Sequence, residues 1–222
     1  MSNHPLITFL ENLSKNNNKE WFHDHKSEYQ ELRNEFKQYI AILIAEIAHF
    51  DEPVKYLESK DCIFRINRDI RFSKDKRPYK NNFGAFIAPG GKNNGYAGYY
   101  FHIEPGNSFI AGGIYMPSSA SLKAIRYEIY DNIDEFKDIL QDADFKRHFR
   151  GLDNIEMLKT APKGFPKDFK DIKLLNHKHY TVSKPIDENS LFTDQFTEEI
   201  LNAYQSLYPF NFFLNDAIEE GG

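Results

Sequence analysis

Residues 96–115, "YAGYYFHIEPGNSFIAGGIY", decide the architecture. Two runs rich in aromatic and β-branched residues, 96–104 and 108–115, flank Glu104-Pro105-Gly106-Asn107. Proline fixes φ and glycine admits positive φ, so these four residues predict a tight turn between antiparallel strands. Side chains alternate along a strand. Tyr99, Phe101 and Ile103 therefore share one face, and Tyr100, His102 and Glu104 the other. If the apolar set packs on helices, a tyrosine, an imidazole and a carboxylate line up on the opposite side.

Upstream, "FGAFIA" (83–88) and the alternating "CIFRIN" (62–67) read as further strands. In the latter, Cys62, Phe64 and Ile66 would face the core, and Arg65 and Asn67 the polar side. The loop "PGGKNNG" (89–95) and the turn at 104–107 are short enough to give an antiparallel meander. Leu6, Phe9, Leu10 and Leu13 recur at helical spacing. Phe22, Tyr29, Leu32, Phe36, Ile40, Leu43 and Ile47 form one stripe of a long second helix, with Asn18 or Asp24 as its cap. After Pro117, helices are expected from Ser118 or Ser119, over 133–141 and over 143–150, then a short one from Pro166. "KHYTVSKPI" (178–186) predicts one more strand. Ser190 or Thr193 opens a last helix, which Pro209 should break or kink. The pattern gives one α+β domain: an antiparallel sheet packed against a long N-terminal helix and C-terminal helices.

The chain has 222 residues, 41% of them hydrophobic, with 20 Phe and 13 Tyr, which is ample for a core. A single cysteine, Cys62, allows no intrachain disulfide and suits a reducing cytoplasm. Neither a signal-peptide pattern nor a run approaching membrane-helix length is present, so no membrane partner is expected.

The charge distribution is uneven. Between Lys60 and Lys80 lie eight cations and three anions, net +5 in a chain of net −5. Guanidinium and ammonium groups match phosphate or carboxylate oxygens. The sequence thus nominates Arg65, Arg68, Arg71, Lys74, Lys76, Arg77 and Lys80 as clamps for an anionic small molecule. Asp69 and Asp75 would orient them, and Tyr79 and Tyr100 would stack or hydrogen-bond. His102 and Glu104 are the candidates for catalytic acid/base work beside them. Two other readings explain the same residues: a nucleic-acid contact, and a structural ion-pair network. His177 and His179 lack a third metal ligand, and no motif names a cofactor.

Residues 65–87, "RINRDIRFSKDKRPYKNNFGAFI", resemble the signature of a widespread family of uncharacterised microbial proteins, a domain of unknown function. The stretches "FLENLSKNNNKEWFHDHKSEY", "GYYFHIEPGNSFIAGGIYMPSSASLKAIRYEI" and "LKTAPKGFPKDFKDIKLLNHKHYTV" are similar to that family too. The signature falls on Arg68, Asp69, Arg71, Phe72, Ser73, Lys74, Asp75, Lys76, Pro78, Tyr79 and Lys80. Thr160-Ala161 stands where the family pattern has a cation after "LK". The resemblance implies a domain reaching from the helix of Trp21 and Phe22 to the last helix, and brings no reaction or substrate.

Overall fold

A computed structural model describes residues 4–221. The first helix, α1 (Pro5–Lys15), starts where the His4 imidazole accepts from the Leu6 N–H at 3.2 Å. Asn18 caps α2 (Lys19–Asp24) by accepting from Trp21 N–H at 2.9 Å. The expected single helix is broken at His25, and α3 (Lys26–Ile47) follows. There the imidazole Nδ1 lies 2.8 Å from the Trp21 carbonyl, and the ring stacks on the indole at 3.9 Å. These local contacts end α2 before the stripe can continue.

The sheet is β1 (Phe83–Ile87), β2 (Gly98–Ile103), β3 (Phe109–Ile114) and β4 (Tyr180–Pro185), in that order and antiparallel throughout. Gly106 makes the β2–β3 turn with φ of 76°. Between β3 and β4 come α5 (Ser119–Asp131), α6 (Ile133–Gln141), α7 (Ala143–His148) and α8 (Ile172–Leu175). Ser118 caps α5 through Ser121 N–H at 3.0 Å. Thr193 caps α9 (Asp194–Glu220) through Phe196 N–H at 3.2 Å.

Two expectations fail here. The segment "CIFRIN" is not a strand. Ser59–Cys62 forms a helical turn, α4, closed by a capping box between Glu58 and Asp61. Beyond it the chain touches β1 through one bridge, Ile63 to Ala85, and Phe64 N–H donates to Gly84 O. It then pairs with its own continuation: Arg68 N–H donates to Pro78 O and Lys80 N–H to Ile66 O. Backbone donors spent on this local hairpin cannot extend a ladder. Ile63 and Ile66 consequently turn inward, and Phe64 and Arg65 outward. The second correction is the break expected at Pro209, since α9 runs through that residue. Tyr204, Leu207, Phe210, Phe213 and Leu214 are buried on both sides of it. Their packing outweighs a proline penalty of about 3 kcal/mol.

One face of the sheet packs on the helices. Tyr99, Phe101, Ile103, Ile110 and Val182 are fully buried there, with Phe36 stacked on Phe101 at 6.0 Å. α9 is also tied to the sheet by polar bonds. Tyr204 Oη donates to Tyr100 O at 2.8 Å, and Asn211 Oδ1 accepts from Gly113 N–H at 2.9 Å. Beneath β2, Tyr99 Oη donates to the buried Asp51 at 2.9 Å. Burial raises the Asp51 pKa, and the Tyr99 bond partly offsets this. Tyr99→Phe is expected to cost about 1–3 kcal/mol at neutral pH, since it strands a buried carboxylate. Urea melts should show a smaller loss at acid pH, where Asp51 is protonated.

Candidate functional site

The other face of the sheet is hollow. Cross-strand rows there are Phe86–Tyr100–Ala111–Ser183 and Gly84–His102–Phe109–Pro185. Small residues sit between large ones, so a cleft of about 730 Å³ opens over Ala111, Gly112 and Gly113. Its walls include Phe64, Phe86, Tyr100, Phe109 and Tyr115, with Lys80 and Lys92 at the β1 side. A second hollow, about 650 Å³, lies beside the Gly106 turn. Its Glu188 accepts from Gly106 N–H and Ser108 Oγ, and no lysine, arginine or histidine is among the residues lining the hollow.

Behind the cleft wall, β2 holds a continuous polar chain. Tyr100 Oη is 2.8 Å from His102 Nδ1, and His102 Nε2 is 3.2 Å from Glu104 Oε2. Glu104 also accepts from Asn81 Nδ2 at 2.6 Å and Asn107 Nδ2 at 3.0 Å. An ionised carboxylate only accepts, so a neutral His102 carries its proton on Nε2. Its Nδ1 then accepts from the Tyr100 hydroxyl. Gly84 makes room for this: a Cβ there would stand 2.9 Å from the phenol oxygen. The His102 ring also stacks on Phe109 at 4.7 Å.

Electrostatics separate the three groups. Burial lowers the His102 pKa below its ordinary 6.5, against the raising influence of Glu104. Burial pulls Glu104 upward, but its hydrogen bonds from Asn107, His102 and Asn81 win and leave it below the usual value. Burial, helped by the Glu104 charge, pushes Tyr100 up to about 12. At neutral pH the chain is therefore phenol, imidazole and carboxylate.

The basic segment is arranged differently from a common clamp. Arg71 pairs with Asp69 at 2.7 Å, and Arg68 and Arg77 both pair with Asp75 at 2.7 Å. Hydrogen bonds from Arg77 and Arg68 hold Asp75 far below the usual carboxylate range. Lys76 Nζ donates to Ile70 O at 3.0 Å. Arg65 and Lys74 are exposed. Tyr79 is buried, stacked on Phe22 at 4.0 Å, with its backbone N–H donated to Asn17 Oδ1. Of the nominated residues, Lys80 and Tyr100 line the cleft, and His102 and Glu104 stand behind Tyr100. Arg68, Arg71, Lys74, Lys76 and Arg77 lie on the loop away from it.

Sequence reading missed Phe64, Phe86, Asn81, Asn107, Asp153, Thr181 and Ser183. One signal was available: "AGG" within a predicted strand leaves a sheet face without side chains to fill it. The roles of Asn81 and Asp153 depend on contacts distant in sequence and left no local trace.

A profile of the family described as "Conserved hypothetical protein (DUF2461)" matches residues 5–213. The chain belongs to the DUF2461 family. Searches of curated proteins and of solved structures gave no match. The DUF2461 match runs from α1 into α9 and takes in the cleft, the polar chain and the basic segment together. Among the described residues, no group of three or more His, Cys, Asp or Glu could hold a metal ion, and no helix is long and apolar enough to cross a membrane.

Proposed function

We propose that the protein binds a small anionic ligand with a flat apolar body in the sheet-face cleft, and that Tyr100, His102 and Glu104 move a proton to or from it. The observation that carries this reading is the unbroken hydrogen-bonded path from a carboxylate to a hydroxyl on the wall of an aromatic cleft. As a ligand acid gives its proton to Tyr100 Oη, the Tyr100 proton passes to His102 Nδ1. The imidazolium is then held by Glu104, and the reverse sequence returns the proton. Lys80 supplies the charge for the anion. Its ammonium sits 5.3 Å from the centre of the Phe64 ring and has no ion-pair partner among the described residues. Burial lowers its pKa, as does the charge of Arg65. The net-positive segment around it raises the local concentration of anions without touching them. A reducing cytoplasm suits the single cysteine, which is buried.

The loop itself supports a second reading, a nucleic-acid contact. Phe72 is 96% exposed at its tip, with Arg71 over its ring at 5.9 Å. Retention on a polyanion column that falls steeply with salt and weakens in Phe72→Ala is the result that reading requires.

Phenyl phosphate and phenylpyruvate are the probes for the cleft. Either is expected to stabilise the protein by about 2.7 kcal/mol at a hundred times its Kd. Lys80→Ala should abolish that gain, whereas Arg71→Ala should retain it. Thermal shifts that ignore Lys80, or no shift with any aromatic anion, would sink the proposal.

A further inference from the structure

The two ends of the cleft differ in chemistry. Lys80 marks the β1 end. At the β4 end stand Thr181, Ser183 and Asp153. Strand alternation directs Tyr180 and Val182 into the core, which leaves Thr181 and Ser183 on the cleft face. Asp153 is fixed beside them twice. Its N–H donates to Thr181 O at 2.8 Å, and Ser183 Oγ donates to its Oδ1 at 2.8 Å. Ser183 has thereby used its one proton, so it and the carboxylate present lone pairs. Thr181 is only 7% exposed, and its Oγ1 has no hydrogen-bond partner among the described residues. Buried hydroxyls are normally satisfied. One that lines a cleft is satisfied by what enters.

Four adjacent strands separate the two ends by three spacings, on the order of 14 Å. The floor between them is Ala111, Gly112 and Gly113, which is flat and apolar. Resting on the reading above, we infer that the ligand is a planar ring with an N–H-bearing edge and an anionic tail. The edge docks on Asp153, Ser183 and Thr181, and the tail reaches Lys80. A carboxylate accepts two parallel N–H donors from a lactam–amine edge as it does from a guanidinium. A nucleoside monophosphate of the guanine type combines that edge with a phosphate across a comparable span.

Titration calorimetry with two matched probes tests the assignment. Guanosine 5′-monophosphate carries the donor edge. Purine riboside 5′-monophosphate keeps the ring and phosphate without any N–H on the edge. The intact protein is expected to prefer the first by on the order of tenfold or more. Asp153→Ala should reduce the preference to within about threefold by weakening guanosine 5′-monophosphate, while purine riboside 5′-monophosphate, freed of lone-pair repulsion from the carboxylate, binds no more weakly than before, which also shows that the variant is folded. Lys80→Ala should weaken both nucleotides alike. Equal affinities, a preference that survives Asp153→Ala, or no binding of either nucleotide overturns the inference. If phenyl phosphate still binds through Lys80 in that case, the broader reading of the cleft stands. If Lys80 matters to no probe, the broader reading fails as well.

Discussion

Replacing Gly113 with alanine is expected to lower the melting temperature by roughly 6–20 °C. Gly113 has φ of 96°, where an L side chain is strained. A Cβ there would stand 2.0 Å from the Tyr180 carbonyl oxygen and 2.9 Å from a ring carbon of Phe210. Neither neighbour can yield cheaply. Tyr180 belongs to the β3–β4 ladder, and the Phe210 ring is fully buried on α9. The Gly113 N–H is also held by Asn211. Strain and overpacking together should cost about 3–5 kcal/mol. Gly106 is the control. It too has positive φ, 76°, but nothing lies within 4 Å of its would-be Cβ. Gly106→Ala should cost only about 1–2 kcal/mol. Similar melting points for the two variants would show that α9 does not press on β3 here.

Glu104→Gln should cost on the order of 2 kcal/mol and shift the His102 titration downward. Glu104 receives hydrogen bonds from His102, Asn81 and Asn107. An amide replaces one acceptor oxygen with a donor, so one of those three partners meets N–H instead. The side chain is 23% exposed, which keeps the loss below that of a fully buried charge. Removing the anion also removes what raises the His102 pKa, leaving burial unopposed. Tyr100→Phe should act in the opposite sense. Without the phenol donating to Nδ1, the neutral imidazole loses a partner and protonates more readily. Imidazole nitrogen NMR reads both shifts, and equal-signed shifts would contradict the hydrogen-bond directions assigned to the chain.

The same pKa directions set a pH dependence. Glu104 is depressed, so its contribution is fully present above the unfolded carboxylate value and is lost as pH falls from there through the lower folded value. His102 is depressed as well. Below 6.5 the unfolded imidazole takes a proton that the folded one resists, so stability falls further with acid.

The sequence by itself determined the elements whose signals are local. The alternation in 96–104 puts Tyr100, His102 and Glu104 on one face, in the order in which the polar chain runs. Pro105-Gly106 set the turn, and Asn18, Ser118 and Thr193 marked helix starts, because a cap needs only the backbone beside it. Tertiary structure decided the rest. Pro209 stays helical because buried partners on both sides outweigh its local penalty. Residues 62–67 leave the sheet because Ile66 O accepts from Lys80 N–H and the next donor, Arg68 N–H, goes to Pro78 O. Asp75 pairs with Arg68 across the loop as well as with its neighbour Arg77, and only the first of these needs the folded loop. The hollow itself exists because the small Ala111 of β3 falls in one row with Phe86 of β1, Tyr100 of β2 and Ser183 of β4, a lateral coincidence of four strands. Periodicity is written residue by residue along the chain; which strands and carboxylates lie alongside is fixed only when segments far apart in sequence pack together.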